Sequence, residues 1–222
     1  MTLTVHHLNN SRSQRVLFAL EELGVPYIVQ HYQRDPKTML APPSLRKIHP
    51  LGKSPIVTDG AATLAETGAI MEYLAATYDK GVLMPPAGSP DARRVTYYLH
   101  YAEGSLMPLM LLSLVITRLP RQVPFLLRPV LNKVAAGVTA QFLGPQLKLH
   151  LDYLESELAE RPWFAGDSFT FADMQMSFPV EIAGKRLKML GATRPNLQKW
   201  LDRLHARPAY GQALEQGGPY DI

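Results

Sequence analysis

The first third of the chain alternates short apolar runs with helical periods of apolar residues. Leu3–Leu8 has the length and apolar character of a strand, and so does Tyr27–Tyr32. Between them, Val16, Leu20 and Leu23 recur at i, i+4 and i+7 and so line one face of a helix. A strand, a helix and a strand in this order predict two parallel strands joined by a helical crossover.

A hairpin and a second helix follow. The looser, proline-rich segment at 36–50 is expected to hold one short helix. Short strands at 56–58 and 63–65 flank an Asp-Gly turn, which is typical of a β-hairpin. Residues 66–78 then return to a helical period. This order, β-α-β, loose helix, β-β, α, is that of the thioredoxin-like fold.

The pattern changes after residue 80. Residues 81–90, GVLMPPAGSP, carry three prolines and two glycines and read as a linker. Beyond it the periods are helical, with four leucines from Leu147 to Leu158 on one face. A mixed α/β unit followed by an all-helical unit suggests two packed domains. We therefore predict an α/β thioredoxin-like domain at 1–80, a linker at 81–90 and an all-α domain at 91–222.

Composition narrows the possible chemistry. The chain has 222 residues and no cysteine, which excludes disulfides, thiolate metal sites and a cysteine nucleophile. Any thiol chemistry therefore needs a substrate that brings the sulfur. The histidines lack ligand spacing, and His6 and His7 are neighbours on a strand, so they point to opposite faces. We expect no metal site.

Charge and hydropathy bear on partners and location. The formal net charge is +4, but the basic residues are scattered, so we expect no nucleic-acid partner. A small anionic ligand fits this charge about as well as a solvated basic surface does. The N-terminus lacks a signal-peptide pattern, and the longest apolar run, at 106–116, is too short to span a bilayer. We expect a cytoplasmic protein without a membrane partner.

The first candidate site is Asn10-Ser11-Arg12-Ser13, where a strand gives way to a helix. The first N–H groups of a helix are unpaired there, and the helix dipole favours negative charge. Thioredoxins place a Cys-x-x-Cys motif at this point, whereas this chain has hydroxyls. The alternative is that Ser11 or Ser13 only caps the helix.

The second candidate is Lys53-Ser54-Pro55, which opens a short strand. A proline at this position can follow a cis peptide bond, and the residue before it can then pair with an extended peptide as an added strand does. The alternative is a tight turn into the strand.

The third candidate is Glu66-Thr67, in the first turn of a helix. The glutamate can accept hydrogen bonds from an ammonium, and the threonine and the helix N-terminus can hold a carboxylate. Together they suit the head group of an α-amino acid. The alternative is again capping.

The order and spacing of these motifs resemble the cytosolic glutathione S-transferases of the bacterial, serine-type kind, over essentially the whole chain. The motifs that carry the resemblance are SRS at 11–13, HPLGKSP at 49–55, LAETGAI at 64–70, and FAGD at 164–167 with TFAD at 170–173. The last pair is similar to a helix-capping segment of that family. Two positions depart from the family pattern: Ser54 replaces a bulky apolar residue and Thr67 replaces a serine, but both keep the backbone or hydroxyl that the site needs.

The resemblance implies glutathione as co-substrate and gives each site residue a role. Ser54, before a cis Pro55, pairs with the cysteinyl part of glutathione, and Lys53 faces its glycyl end. Glu66 holds the γ-glutamyl ammonium and Thr67 the adjacent carboxylate. The hydroxyl that activates the thiol falls at Ser11, with Asn10, Arg12 and Ser13 as the other candidates.

A hydroxyl and a helix N-terminus together can supply the free energy needed to stabilise a bound thiolate. A free thiol has a pKa of about 8.5, and lowering it to about 6.5 takes roughly 2.7 kcal/mol. A hydrogen bond to a charged acceptor contributes roughly 1.5–3 kcal/mol, and a helix N-terminus adds roughly 0.3–1 kcal/mol. The two together suffice, and neither does so comfortably alone.

The electrophile is expected to bind between the domains. Met107, Met110 and Leu111 on the first helix of the second half can line a pocket for varied apolar substrates. Glu103 on the same helix is a candidate for reaching the glutathione of a neighbouring subunit, since the resemblance implies a homodimer. The predicted function is a glutathione transferase acting on a small hydrophobic electrophile. The alternatives are a glutathione-dependent peroxidase or disulfide reductase, and a non-catalytic binding protein on the same fold.

Overall fold

A computed structural model describes residues 2–218 and 220–221 of the chain. Its N-terminal half contains a four-stranded mixed sheet in the order β2-β1-β3-β4. β1 runs parallel to β2 and antiparallel to β3, and β3 and β4 form a hairpin. The strands are β1 Leu3–Leu8, β2 Tyr27–Tyr32, β3 Ile56–Asp59 and β4 Ala62–Ala65. The predicted parallel pair and hairpin are confirmed.

Two helices accompany this sheet. Helix α1, Ser13–Leu23, makes the crossover between β1 and β2, and α2, Thr67–Tyr78, follows the hairpin. A short 3-10 helix, Pro43–Lys47, lies in the proline-rich segment. Helix α1 ends at Gly24, whose φ of 62° is left-handed and costs glycine little.

The second half is helical, which confirms the predicted fold class. A π-helical turn, Ala102–Leu106, joins the first two of these helices without a break. The predicted capping box is present: the Thr170 hydroxyl accepts from the backbone of Ala172, and the Asp173 carboxylate accepts from the backbone of Thr170. The helices are α3 Pro90–Tyr101, α4 Met107–Arg118, α5 Arg128–Val138, α6 Gly144–Glu160, α7 Phe171–Glu181, α8 Pro195–His205 and α9 Pro208–Gly217.

Helix α1 lies between the sheet and the helical half. Its residues 13–20 are all buried, and it packs on both α7 and α9 as well as on β1. Phe18 contacts Tyr210 edge to face, with ring centroids 5.5 Å apart. The loop that precedes α1 is therefore held at the boundary between the two halves.

One continuous helical stretch in the described chain, Pro90–Gln122, is long and apolar enough to cross a membrane by length and composition. In its most apolar window, 39% is buried inside the protein, and core helices of soluble proteins meet the same criterion.

Candidate active site

A cavity of about 660 Å³ lies between the two halves, a volume usual for small-molecule sites. Both halves contribute to its wall. Most of the residues singled out from the sequence line it: Asn10, Ser11, Arg12, Lys53, Ser54, Pro55, Glu66, Thr67, Met107, Met110 and Leu111. Ser13 and Glu103 lie behind this lining.

Three side chains form a hydroxyl chain that ends at the cavity. His7 Nδ1 lies 2.9 Å from Ser13 Oγ, and Ser13 Oγ lies 2.7 Å from Ser11 Oγ. Ser11 Oγ is in turn 3.5 Å from Ser54 Oγ, beside the cis peptide bond between Ser54 and Pro55. The first and second candidate sites are therefore brought together through two hydroxyls.

The protonation of His7 sets the direction of this hydroxyl chain. Burial, with a smaller contribution from nearby His31, lowers the pKa of His7 to about 4, so the ring is neutral near pH 7. The backbone of Gly217 acts in the opposite sense and raises the pKa of His7, but less than burial lowers it. We assign the ring proton to Nε2, on the side away from Ser13, which leaves Nδ1 as an acceptor. Ser13 then donates to His7, and Ser11 donates to Ser13.

Ser11 also helps to start helix α1. Its Oγ accepts the backbone N–H of Ser13 at 3.2 Å. The oxygen of Ser11 therefore accepts a hydrogen bond that caps the helix. Its O–H group is still able to donate to a different acceptor, such as a thiolate. The capping alternative and the thiol-contact hypothesis are compatible.

The other three candidates for the sulfur contact are engaged elsewhere. Ser13 is 0% exposed and bonded within the hydroxyl chain. Asn10 has a left-handed φ of 50°, and its Oδ1 accepts from the backbone N–H of Asp221. Arg12 Nε lies 3.4 Å from a carboxylate oxygen of Glu103. The hydroxyl closest to Ser54 among the four candidates is that of Ser11.

Glu66 and Thr67, the third candidate site, line the same cavity. Glu66 precedes helix α2 with a φ of 71°, and within the described residues its side chain makes no capping hydrogen bond. Its carboxylate is therefore left to face the cavity. Thr67 is buried in the first turn of α2.

Glu103 pairs with two arginines of its own chain. Besides Arg12, it binds Arg15, which is 1% exposed and also donates to the backbone carbonyl of Gln175 at 2.5 Å. Arg15 thus points into the helical half and ties α1 to it. The contact of Glu103 with the glutathione of a neighbouring subunit stays a prediction.

Sequence reasoning missed four residues of the site. The sequence pattern of His7 bears only on metal binding, but its place on β1 just before the Ser-Arg-Ser motif is a signal for a contact with the hydroxyls. Arg34, Arg118 and Arg186 also line the cavity. They come from three separate elements, so no local motif could have grouped them.

The described residues contain no group of three or more His, Cys, Asp or Glu side chains placed to hold a metal ion. The mixed four-stranded sheet, the cis peptide bond before Pro55 and the attached helical half define a protein of the thioredoxin-like fold class.

Comparisons with known proteins give the family. Residues 11–77 match the glutathione S-transferase N-terminal domain, and residues 139–208 match the C-terminal domain. The chain is 35% identical over 214 residues to glutathione S-transferase 3 of Schizosaccharomyces pombe, across 96% of this chain and 87% of that protein. It is 30% identical over 222 residues to glutathione S-transferase 1 of Saccharomyces cerevisiae, across 96% and 94%.

A solved structure agrees. The glutathione S-transferase of Actinobacillus pleuropneumoniae superposes with a TM-score of 0.80 at 29% identity, covering 97% of this chain and 93% of that one. The chain therefore belongs to the glutathione S-transferase family and is a glutathione transferase enzyme.

Proposed function

We propose that this transferase binds glutathione in the cavity, stabilises its thiolate with the Ser11 hydroxyl, and directs it at a small apolar electrophile. One observation carries the proposal: Ser11 Oγ lies 3.5 Å from Ser54 Oγ in a cavity that Glu66 and Thr67 also line. A tripeptide that pairs with Ser54 brings its central side chain toward Ser11.

The charged groups of glutathione match the polar wall. Its ammonium fits the carboxylate of Glu66, and the neighbouring carboxylate fits Thr67 and the N-terminus of α2. Its glycyl carboxylate fits Lys53. Arg34 supports the site from behind, since its guanidinium donates to the backbone carbonyls of Asn9, Asn10 and Met39.

Stabilising the thiolate requires Ser11 to exchange one hydrogen bond for another. Giving up a neutral bond to Ser13, worth about 1 kcal/mol, for a charged bond of about 1.5–3 kcal/mol leaves roughly 0.5–2 kcal/mol. With about 0.3–1 kcal/mol from the helix N-terminus, the pKa of the bound thiol should fall by roughly one to two units. The hydroxyl is therefore a necessary but not a sole contributor.

The second substrate binds on the helical side. Met107 and Met110 are almost fully buried in the cavity wall, and Leu111 is half exposed beside them. The thiolate sulfur attacks the electrophilic carbon, a sulfur–carbon bond forms, and the leaving group departs with its bonding pair. The thiol proton has already passed to solvent.

We also propose that the protein is a cytoplasmic homodimer. No residue of α5 is buried in the described chain, and Val130 and Val134 are 62% and 50% exposed. An apolar helix face of this kind suits a second copy of the chain. Light scattering after gel filtration should give twice the mass of one chain.

Two measurements test the function. Isothermal titration should show binding of glutathione, and Glu66→Gln should weaken it. The transferase proposal predicts conjugation of chlorodinitrobenzene at a higher rate than reduction of cumene hydroperoxide. The opposite order would favour the peroxidase alternative, and failure to bind glutathione would favour a non-catalytic binding protein.

A further inference from the structure

Two arginines from different helices line the cavity. Arg118 is the last residue of α4, and Arg186 ends the π-helical turn, Ile182–Arg186, that extends α7. Both line the cavity on its helical side. They border one cavity, and burial, with a smaller contribution from the charge of Arg118, lowers the pKa of Arg186.

The other charged groups of the cavity have partners or assigned roles. Arg12 pairs with Glu103, and the guanidinium of Arg34 is bonded to backbone carbonyls. Lys53 is assigned to the glycyl carboxylate, and Glu66 to the ammonium. Asp221, the remaining acid of the lining, is fastened beside the α1 loop through its backbone N–H to Asn10.

Arg118 and Arg186 differ from these groups. In the described part of the chain, neither guanidinium has an ion-pair or hydrogen-bond partner. Each stands at a helix C-terminus, where a cation gains roughly 0.3–1 kcal/mol. That gain accounts for one arginine on one helix, but not for two like charges brought together across a cavity, which repel each other.

The two arginines share their cavity with apolar side chains. Met110, Leu111, Leu114 and Ile182 line the cavity together with the two arginines. A ligand that fits this part of the cavity has an apolar body and an anionic end, since guanidinium groups bind carboxylates with paired hydrogen bonds.

We propose that Arg118 and Arg186 form a carboxylate-binding subsite of the second-substrate pocket, so that the preferred electrophile is an apolar molecule with a carboxylate remote from its reacting carbon. The inference rests on the proposed function, because it names the substrate class of the same cavity. In the reaction the carboxylate is unchanged: the sulfur bonds to carbon, and the leaving group departs with its electron pair.

A matched pair of substrates tests the subsite. Chloronitrobenzoate and chloronitrobenzamide share a ring, a leaving chloride and a nitro group, and differ in the charge of one substituent. In Arg118→Gln and Arg186→Gln, the ratio of kcat/KM for the acid to that for the amide should fall about fivefold each, and tenfold or more in the double variant. Arg121→Gln is the control, because Arg121 is exposed on the 3-10 turn after α4. A ratio that stays within twofold of wild type in the double variant would overturn the proposal.

A binding measurement separates this proposal from the proposed function. Titration of nitrobenzoate, which has no leaving group, into the glutathione-saturated protein should show binding that the double variant weakens and Arg121→Gln does not. If wild type conjugates neither substrate but shows this arginine-dependent binding, the transfer reaction is wrong and the subsite stands. If both substrates are conjugated and nitrobenzoate binds the double variant as it binds wild type, the subsite is wrong and the transfer reaction stands.

Discussion

Glu66 holds a backbone conformation that side chains rarely adopt. Its φ of 71° and ψ of 123° place it outside the usual regions for a residue with a Cβ, at a cost of roughly 1–3 kcal/mol. A residue chosen for helix capping alone would not need this geometry. The strain is consistent with a carboxylate aimed at a ligand.

Replacing Glu66 should therefore separate stability from binding. Glu66→Gly should raise the free energy of unfolding by about 1 kcal/mol, because glycine tolerates a positive φ, and should weaken glutathione binding about tenfold or more through loss of a charged partner. Glu66→Gln keeps the Cβ and should weaken binding without the gain in stability. Urea unfolding and glutathione titration measure the two effects, and a Glu66→Gly protein less stable than wild type would contradict the strain argument.

His7 should make stability depend on pH. Its pKa is about 4 in the folded protein and about 6.5 in the unfolded chain. Between these values the unfolded chain binds more protons at His7, so stability is lost as pH falls through this window. The loss should reach about 3 kcal/mol at the low end.

Comparison of wild type with a variant that lacks His7 isolates the part of the pH dependence that comes from His7. Urea unfolding of wild type and His7→Asn from about pH 7 to about pH 4 should show a steeper loss in wild type. His31→Asn removes an exposed neighbour of His7 and should keep most of the wild-type slope, because burial lowers the pKa of His7 more than His31 does. Identical pH profiles for wild type and His7→Asn would show that His7 is not buried as a neutral ring.

At the scale of elements, α9 holds the end of β1 and the start of α1 in place. A Cβ at Gly217 would lie 2.3 Å from Gln14 Oε1, 3.0 Å from Leu17 and 3.1 Å from His7. Gln14 is buried and cannot swing away freely. The close approach of α9 therefore depends on a glycine at the point where its backbone meets the ring of His7.

Two glycines of α9 should respond to alanine in opposite directions. Gly217→Ala should destabilise the protein by roughly 1–3 kcal/mol through overpacking, although alanine normally favours a helix. Gly211→Ala, where a Cβ meets nothing within 4 Å, should stabilise it by up to about 1 kcal/mol. Thermal unfolding of both variants measures the difference, and stabilisation by Gly217→Ala would contradict the contact.

Strands and helices with a regular spacing of apolar residues could be predicted from the sequence. A π-helical turn inside a helix could not. The strands and α1 follow directly from runs such as Leu3–Leu8 and from the spacing of Val16, Leu20 and Leu23. The π-helical turn at Ala102–Leu106 carries no local signal, yet it changes which residues after Tyr101 face the cavity. An unbroken α-helical spacing predicts one face for His100, Glu103 and Met107, but His100 is exposed in the structure and Met107 is buried.

At the scale of the whole molecule, one buried arginine joins the two halves. Arg15 leaves α1 to meet Glu103 and the carbonyl of Gln175, residues far from it in sequence. Such contacts, like the convergence of Arg118 and Arg186, depend on packing between elements. The three candidate site motifs could be predicted because each is local in sequence, whereas the pairing of Arg118 with Arg186 in one cavity could not.

Arg15→Met should lower the free energy of unfolding by about 2 kcal/mol or more. The substitution leaves the carbonyl of Gln175 without its donor and removes one partner of the half-buried Glu103 carboxylate. Arg12→Met removes the more exposed partner of the same carboxylate and should cost less than about 1 kcal/mol. Urea unfolding compares them. Equal losses would mean that the buried pair contributes no more than the surface pair.

The central claim is that the Ser11 hydroxyl stabilises the thiolate of bound glutathione. Titration of thiolate absorbance in the glutathione complex tests it most directly, in wild type, Ser11→Ala and Ser13→Ala. We expect Ser11→Ala to raise the pKa of the bound thiol by about one unit. We expect Ser13→Ala not to raise it, because Ser11 then loses only a competing acceptor. An unchanged thiol pKa in Ser11→Ala would contradict the claim.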